Sequence, residues 1–174
     1  TVHFPDQIDS IATRAFYDSG LSGEFNLPKQ LRVVGKQAFG GTKFNKVVIH
    51  SDVLAAKDNT VYTLYGNSAF ADCDELTEVV VKEGCTMLEL GFSHCTSLTT
   101  VSLPSTLEQI GYQSHSTHNY IFSRCDKLEK IILTPGIERI EDFAFSGCHA
   151  LCDVEIPEGL THIGRAAFAG CGGI

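Results

Sequence analysis

One motif recurs through this chain at a nearly constant spacing, and it constrains the fold more than any other feature. Intervals of 23, 31, 22, 30, 23 and 23 residues separate its copies. A fixed period of about 20 to 50 residues indicates a repeat architecture, in which each copy packs only against its neighbours. The sequence therefore predicts an elongated solenoid. The copies are marked by Phe16, Phe39, Phe70, Phe92, Phe122, Phe145 and Phe168.

Each copy also carries apolar residues in alternation, as in Val154-Glu155-Ile156. A period of two residues predicts a short strand with one face buried. Seven such pairs, from Val2/Phe4 to Val154/Ile156, predict seven parallel strands that stack into one sheet. The segment around each phenylalanine, usually preceded by alanine, is too short for a long helix and predicts a single helical or 3₁₀ turn.

The repeating unit resembles a known family. It reads Leu-x-x-Val-x-Ile-Pro-x-x-Leu-x-x-Ile-Gly-x-x-Ala-Phe-x-x-Cys from Leu151 to Cys171, and it resembles the BspA-like class of leucine-rich repeat over essentially all 174 residues. Two early copies depart from it, with Ser19 and the stretch 40–42 in place of cysteine. The resemblance implies an α/β solenoid: a right-handed β-α superhelix with about seven rungs of roughly 23 residues and a parallel sheet on one face.

The unbroken repeat predicts one domain over residues 1–174. Because the chain begins and ends in phase with the repeat, we expect it to be a fragment of a longer protein. A net charge of −8 argues against nucleic acid or an anionic membrane surface as partner, since both select clustered cations. No apolar run approaches the roughly 18 residues that a membrane span requires, so we expect no membrane insertion by this segment.

Seven cysteines are present, and their phase predicts their state. Five share one repeat position and Cys85 occupies another inward position, so these six are predicted to be buried thiols that behave as small hydrophobes. Cys152 is predicted to face solvent. Neighbouring rungs lie about 4.8 Å apart, so disulfides between adjacent cysteines remain an alternative. Thiols on one line cannot surround a metal ion tetrahedrally, and neither a metal nor another cofactor is expected.

The outward side chains of the strands form the first candidate binding surface. Several are apolar where solvent is expected, and an apolar patch beside charged residues is typical of a partner surface. Singly exposed apolar residues are also normal, which is the simpler alternative. The central outward column is predicted to contain His3, Asn26, Val48, Val80, Ser102, Ile132 and Glu155.

Two insertions form the second candidate surface, because insertions in solenoids map to loops that often bind partners. They lie around 54–63 and at 112–119. Two histidines in the second insertion could ligate a metal, but no cysteine or carboxylate accompanies them, and a solvated surface loop is the simpler interpretation. The candidate residues are Lys57, Asp58, Tyr62, Tyr112, His115 and His118.

No catalytic constellation emerges from the sequence. Cys152 has His149 and Asp153 nearby, but nothing organises an oxyanion hole, and no phosphate-binding glycine loop occurs. The family resemblance implies a non-catalytic binding module at the cell surface or in a secreted protein, mediating adhesion to host matrix or other cells through a protein or glycan ligand. Two alternatives stay open: a structural spacer, and the recognition module of a larger surface enzyme. The oligomeric state is not predicted.

Overall fold

The computed structural model describes residues 3–5, 7–55, 68–112 and 119–174. Over these ranges the chain winds into a solenoid whose turns each place strands on two sides, and all strand pairs are parallel. The first side, here called the strand face, consists of β2 (Ser22–Asn26), β4 (Lys43–Ile49), β6 (Glu78–Val81), β8 (Thr100–Ser102), β10 (Lys130–Ile132) and β12 (Asp153–Glu155).

The strand face comprises a four-stranded sheet in the order β2-β4-β6-β8 and a two-stranded sheet of β10 and β12. The register aligns equivalent repeat positions, so that Val47 pairs with Val79 and Val79 pairs with Val101. Residues at the same position of successive repeats therefore lie opposite each other in neighbouring strands. The alternating pattern is confirmed in the central strands, where Val79 and Val81 of β6 point into the core and are buried. In the last rung it is not, because Ile156 follows β12 and is 52% exposed.

The second side is built from two-residue strands, which match the short extended segments that precede each phenylalanine. They form sheets in the orders β1-β3-β5 and β7-β9-β11-β13. Several bury one branched apolar residue, such as Ile110 and Ile140, and these stack in register. In the last strand of this side the equivalent Ile163 is 50% exposed. The strands are β1 (Ser10–Ile11), β3 (Val33–Val34), β5 (Leu54–Ala55), β7 (Met87–Leu88), β9 (Gln109–Ile110), β11 (Arg139–Ile140) and β13 (His162–Ile163).

The repeated phenylalanines form one continuous stack of rings through the core. Successive centroids lie 5.0–5.7 Å apart, and the planes are tilted by 3–18°. The five central rings are fully buried, whereas the terminal rings of Phe16 and Phe168 are half-buried because each has a neighbour on one side only. Offset stacking adds about 0.5–1.5 kcal/mol per pair beyond the burial of the rings.

The segments around these phenylalanines are turns, and no helix occurs among the described residues. The helical part of the predicted β-α superhelix is therefore not confirmed. The reason is a left-handed backbone at the second residue after the phenylalanine, which a right-handed helix cannot contain. All seven copies show it, with φ between 53° and 77°: Asp18, Gly41, Asp72, His94, Arg124, Gly147 and Gly170.

In this turn conformation every second backbone N–H group points towards a carbonyl oxygen of the following rung. The amide of Phe122 donates to the carbonyl of Ala144 across 2.7 Å, and that of Arg124 donates to Ser146 across 2.9 Å. These bonds replace the helical bonds that the sequence predicts, so the buried turns remain satisfied. Each rung is thereby joined to the next on the turn side as well as along the strand face and the second side.

The predicted number of rungs is not confirmed either. The strand face has six strands among the described residues, and residues 3–5 of the first predicted rung form none. The solenoid thus has about six turns. Phe4 still contributes to the core, because its ring lies 5.5 Å from Phe16 and 5.6 Å from Phe25.

The cysteines occupy the positions that the repeat predicts. All seven are free thiols. Five of the six cysteines that were predicted to be buried are buried, and the exposure predicted for Cys152 is confirmed. The burial predicted for Cys171 is not confirmed, because in the last turn it is only half-buried. Each thiol of the main column donates to the carbonyl oxygen of the phenylalanine in the preceding rung, as Cys148 does to Phe122 across 3.0 Å. The thiol gives this carbonyl a second hydrogen bond, since the Phe122 carbonyl also accepts from the Cys125 amide across 3.2 Å.

Candidate functional site

The central outward column of the strand face is largely exposed, as predicted. Ile132 of β10 is 65% exposed, and Val80 of β6 is half-buried. The column places apolar and polar side chains side by side on a surface formed by successive strands. The exposed members are His3, Asn26, Ser102, Ile132 and Glu155.

The exposure predicted for Val48 is wrong, because this side chain is only 3% exposed. Val48 lies near the end of the longest strand and pairs on one side with Asn26 and on the other with Val80. Lys46 lies two residues before it in the strand, and His50 directly follows the strand, with its Nε2 3.3 Å from Asn26 Oδ1. A short branched residue among these side chains is covered by its neighbours, so its outward direction does not give it contact with solvent.

A parallel column beside the central one carries charges that neutralise each other across the rungs. Lys46 Nζ lies 3.2 Å from Glu78 Oε2, and Lys130 Nζ lies 2.5 Å from Asp153 Oδ2. The hydrogen bond to Asp153 raises the pKa of Lys130. Between the two ion pairs the column holds the uncharged Thr100.

The consequence is a neutral area between two charged borders. We call it the strand patch, and it consists of Val80, Thr100, Ser102 and Ile132. Val80 pairs with Ser102 in the register, and β10 lies next to β8. Apolar and hydroxyl-bearing side chains surrounded by charged ones resemble the centre and rim of a protein interface.

The first rungs of the strand face are more polar. Asn26 donates to Glu24 across 2.9 Å, and Asn26 Oδ1 lies 3.3 Å from His50 Nε2. Burial lowers the pKa of His50, and the positive charges of Lys29 and Lys82 lower it further. His50 therefore favours its neutral form near neutral pH, which leaves this end of the face without the extra positive charge of a protonated imidazole.

Most of the predicted insertion sites lie outside the described residues, namely Lys57, Asp58, Tyr62, His115 and His118. Tyr112 is described, and the structure corrects its placement: it is 4% exposed rather than part of a surface loop. Its amide donates to the side-chain oxygen of the buried Asn119 across 2.8 Å. This bond joins the two ends of the second insertion, which explains why both residues are withdrawn from solvent.

The hydrogen bonds around Cys152 do not form the catalytic arrangement that the sequence offered as a weak candidate. His149 Nδ1 lies 2.9 Å from Asp126 Oδ1, and the thiol of Cys152 faces the carbonyl of Glu129 at 3.7 Å. Neither contact joins the thiol to the imidazole. Among the described residues no group of three or more histidine, cysteine or carboxylate side chains could hold a metal ion.

The described ranges also contain no helix long and apolar enough to cross a lipid bilayer.

A recess lies on the turn side, in the last three turns of the chain, around Phe122, Phe145 and Phe168. It is an open groove of about 370 Å³ whose lining includes Tyr120, Arg124, Phe143 and His149. Sequence analysis did not single out this groove. A signal is nevertheless present: the second residue after the phenylalanine changes from Arg124 to Gly147 between neighbouring copies, so one side chain is missing from a surface column.

Comparison with protein-family models identifies the repeat. The model described as "BspA type Leucine rich repeat region (6 copies)" matches residues 1–118 and 115–174, and so covers the whole chain. The chain belongs to the BspA type of leucine-rich repeat proteins. The six copies of the model agree with the six strands of the strand face. Among curated proteins, none is significantly similar in sequence.

Solved structures of other leucine-rich repeat proteins share the fold. A leucine-rich repeat protein from Bacteroides ovatus is 26% identical, with a TM-score of 0.74 over 97% of this chain. The leucine-rich repeat protein of T. pallidum is 24% identical, with a TM-score of 0.65 over 98% of the chain. A leucine rich cell surface protein from Faecalibacterium prausnitzii is 20% identical, with a TM-score of 0.58 over 98%. This BspA-type chain spans 40%, 75% and 51% of those three proteins, respectively.

Proposed function

We propose that this BspA-type chain is a non-catalytic binding module of a cell-surface protein and that it holds a protein partner on its strand face. The observation that carries the proposal is the exposure of Ile132, 65% of whose surface is open to solvent within the neutral strand patch. An exposed branched side chain on the flat face of a sheet contributes about 1.5–3 kcal/mol when a partner buries it fully.

The surroundings of Ile132 indicate the chemistry of the partner. The Lys46–Glu78 and Lys130–Asp153 pairs border the patch, and each pair is electrically neutral as a whole. A suitable partner surface therefore presents an apolar side chain to Ile132 and hydrogen-bonding groups to Thr100 and Ser102, with charged groups at its rim. Contacts of this kind give specificity at the rim and affinity at the centre.

Support for a surface location comes from the repeat type and from the fold shared with the F. prausnitzii protein described as a cell surface protein. Adhesion to host matrix proteins or to other cells is the specific role we propose. A structural spacer is the second candidate function, because most charges on the strand face are already paired within the chain.

Binding to immobilised matrix proteins and to a glycan panel tests these alternatives. The informative variants are Ile132→Glu and Val80→Glu, with Tyr17→Glu as a matched control, since Tyr17 is an exposed residue on the turn side. Binding that the strand-patch variants lose and the control keeps supports adhesion through the strand face. Binding that all variants keep contradicts the strand patch as the site, and the absence of any binding favours the spacer.

A further inference from the structure

The turn side carries a groove that is separate from the strand patch and that the proposed adhesive function does not use. It extends over three rungs and has a volume of about 370 Å³, which lies at the lower end of the range for small-molecule sites. Its walls are an aromatic pair, Tyr120 and Phe143, and two basic side chains, Arg124 and His149.

The groove exists because the solenoid lacks side chains at one column of positions. The second residue after each core phenylalanine is Asp72, His94 and Arg124 in successive rungs, followed by Gly147 and Gly170. The backbone at Gly147 has a φ of +77°, which glycine adopts without strain. A Cβ atom there would lie 3.1 Å from Arg124 Cγ. The absent side chain therefore lets the aliphatic stem of Arg124 lie against the Gly147 backbone, and Gly147 and Ser146 line the floor of the groove beside it.

The aromatic wall is well suited to an apolar ring face. The centroids of Tyr120 and Phe143 lie 5.3 Å apart, and the ring planes are tilted by 37°. The guanidinium of Arg165 lies over the Phe143 ring, 5.2 Å from its centroid, and holds it in place. Burial raises the pKa of Tyr120, so its phenol remains neutral at physiological pH. A ligand ring that contacts this wall meets two neutral aromatic rings, with the Arg165 guanidinium over part of the Phe143 ring.

The basic side of the groove contains one cation whose charge is not compensated. Two neighbouring basic groups already have acidic partners, because His149 pairs with Asp126 at 2.9 Å and Arg165 pairs with Asp142 at 3.6 Å. The guanidinium of Arg124 makes no ion pair with any described residue. In a chain with a net charge of −8, an arginine of this kind at the edge of an aromatic groove favours an anionic ligand. A planar carboxylate matches its bidentate geometry.

We propose that this groove binds a sugar ring that carries a carboxylate, as a uronic acid does. The C–H face of the ring packs on Tyr120 and Phe143, and the carboxylate pairs with Arg124. The ring hydroxyls then lie against the polar floor at Ser146. An acidic peptide has the same charge but lacks the flat ring that the aromatic wall accommodates.

Titration of the isotope-labelled protein with D-glucuronate, followed by amide chemical shifts, tests the proposal. The neutral counterpart is D-glucose, and a short glutamate-containing peptide tests the alternative ligand class. Glucuronate should shift the amides of Arg124, Gly147 and His149, and glucose should bind at least about tenfold more weakly. A charged hydrogen bond contributes about 1.5–3 kcal/mol, so Arg124→Gln should weaken glucuronate binding roughly 10- to 100-fold.

Lys127→Gln is the matched control, because Lys127 is exposed, lies three residues away and does not line the groove. It removes the same charge and should leave the affinity unchanged. Tyr120→Ala should weaken glucuronate and glucose alike. If Arg124→Gln does not fold, Arg124→Lys retains the charge without the bidentate geometry and should still lose affinity. Equal binding of glucose and glucuronate, no shift of the groove amides, or tighter binding of the peptide at these residues would overturn the proposal.

Discussion

The thiol of Cys148 donates a hydrogen bond of 3.0 Å to the carbonyl oxygen of Phe122, one rung earlier in the solenoid. The same contact recurs at Cys73, Cys95, Cys125 and Cys171, with lengths of 3.2–3.4 Å. The cysteine column therefore does more than fill space, because each thiol adds a hydrogen bond to a buried backbone carbonyl of the preceding rung. A small residue with a donor suits this position.

Replacing Cys148 with alanine should lower the free energy of unfolding by about 1–2 kcal/mol, because it creates a small cavity and removes one of the two hydrogen bonds to the Phe122 carbonyl, which keeps its bond from the Cys125 amide. Urea denaturation measures the change. Cys152→Ala is the matched control, since the Cys152 side chain is exposed, and its effect should be within about 0.5 kcal/mol. Equal effects of the two substitutions would show that the thiol–carbonyl bond contributes nothing.

The reactivity of the thiols should follow their burial. A thiol-labelling reagent added to the native protein at pH 8 should modify Cys152 first. Burial raises the pKa of Cys85 and of Cys171 to about 11, so only about one in a thousand of these groups is a thiolate at pH 8. Burial also raises the pKa of Cys95 and Cys125. Mass spectrometry of the labelled protein identifies the sites.

Fast labelling of four or more cysteines in the native state would contradict this assignment. A further check is labelling after denaturation without reductant. All seven thiols should then react, and a protein that takes up fewer labels would contain disulfides between neighbouring rungs.

Periodicity in the sequence was sufficient to predict most features that depend on repeat phase, except in the last rung, where Ile156 is 52% exposed and Cys171 is half-buried. The stack of phenylalanines, the inward pairs such as Val79 and Val81, and the exposure of Cys152 follow from position in the repeat alone. The family match covers the same repeats. These features are set by which way a side chain points, and that direction alternates in a regular way along a strand.

Features that depend on neighbouring rungs were not predictable in the same way. Val48 points outward but is covered by side chains on adjacent strands, whereas Ile132 at the equivalent position is exposed. The turn groove arises from Gly147 following Arg124 in one column. Both results depend on which side chains occupy three consecutive rungs. A repeat pattern describes only what the rungs have in common, so it does not predict them.

The turn conformation was predicted wrongly although a signal was available. The second residue after the phenylalanine is glycine, aspartate or histidine in six of seven copies, and these types adopt left-handed φ most readily. A helical turn seemed compatible with the alanine and phenylalanine of the motif. Local propensity for a helix was overridden by the hydrogen bonds that link each turn to the next.

Truncation of a central ring in the stack should be costly. Phe145→Ala should lower the free energy of unfolding by about 3–5 kcal/mol, because the ring is fully buried between Phe122 and Phe168. Phe168→Ala at the half-buried end of the stack should cost clearly less. Urea denaturation of both variants measures the difference, and equal costs would contradict a continuous stack that is weakest at its end.

Two glycines of the second side are required by close approach between rungs. A Cβ atom at Gly35 would lie 2.2 Å from the backbone nitrogen of Thr13, and one at Gly164 would lie 2.4 Å from that of Asp142. Gly35→Ala should therefore destabilise the protein by about 1–3 kcal/mol or more, since backbone must move. Gly20→Ala is the control, with no atom within 4 Å of the added carbon, and should be neutral or slightly stabilising.

Thermal denaturation of the two alanine variants and the unmodified protein gives the ranking. If the midpoint of Gly35→Ala matched that of the unmodified protein, neighbouring rungs could separate at no cost in free energy. The hydrogen bond of 2.7 Å from the Gly35 amide to the Ile11 carbonyl argues against such a separation.

A change to glycine should stabilise the protein where a residue other than glycine has a left-handed backbone. Ala166 has a φ of +54°, where an alanine is strained by roughly 1–2 kcal/mol. Glycine removes that strain but loses about 0.5–1 kcal/mol of backbone entropy on folding, so Ala166→Gly should raise the free energy of unfolding by about 0.5–1 kcal/mol. Ala144→Gly, at a buried position without left-handed φ, should lower it. Urea denaturation of both variants separates the two effects, and destabilisation by Ala166→Gly would show that the turn does not hold this residue in the left-handed region.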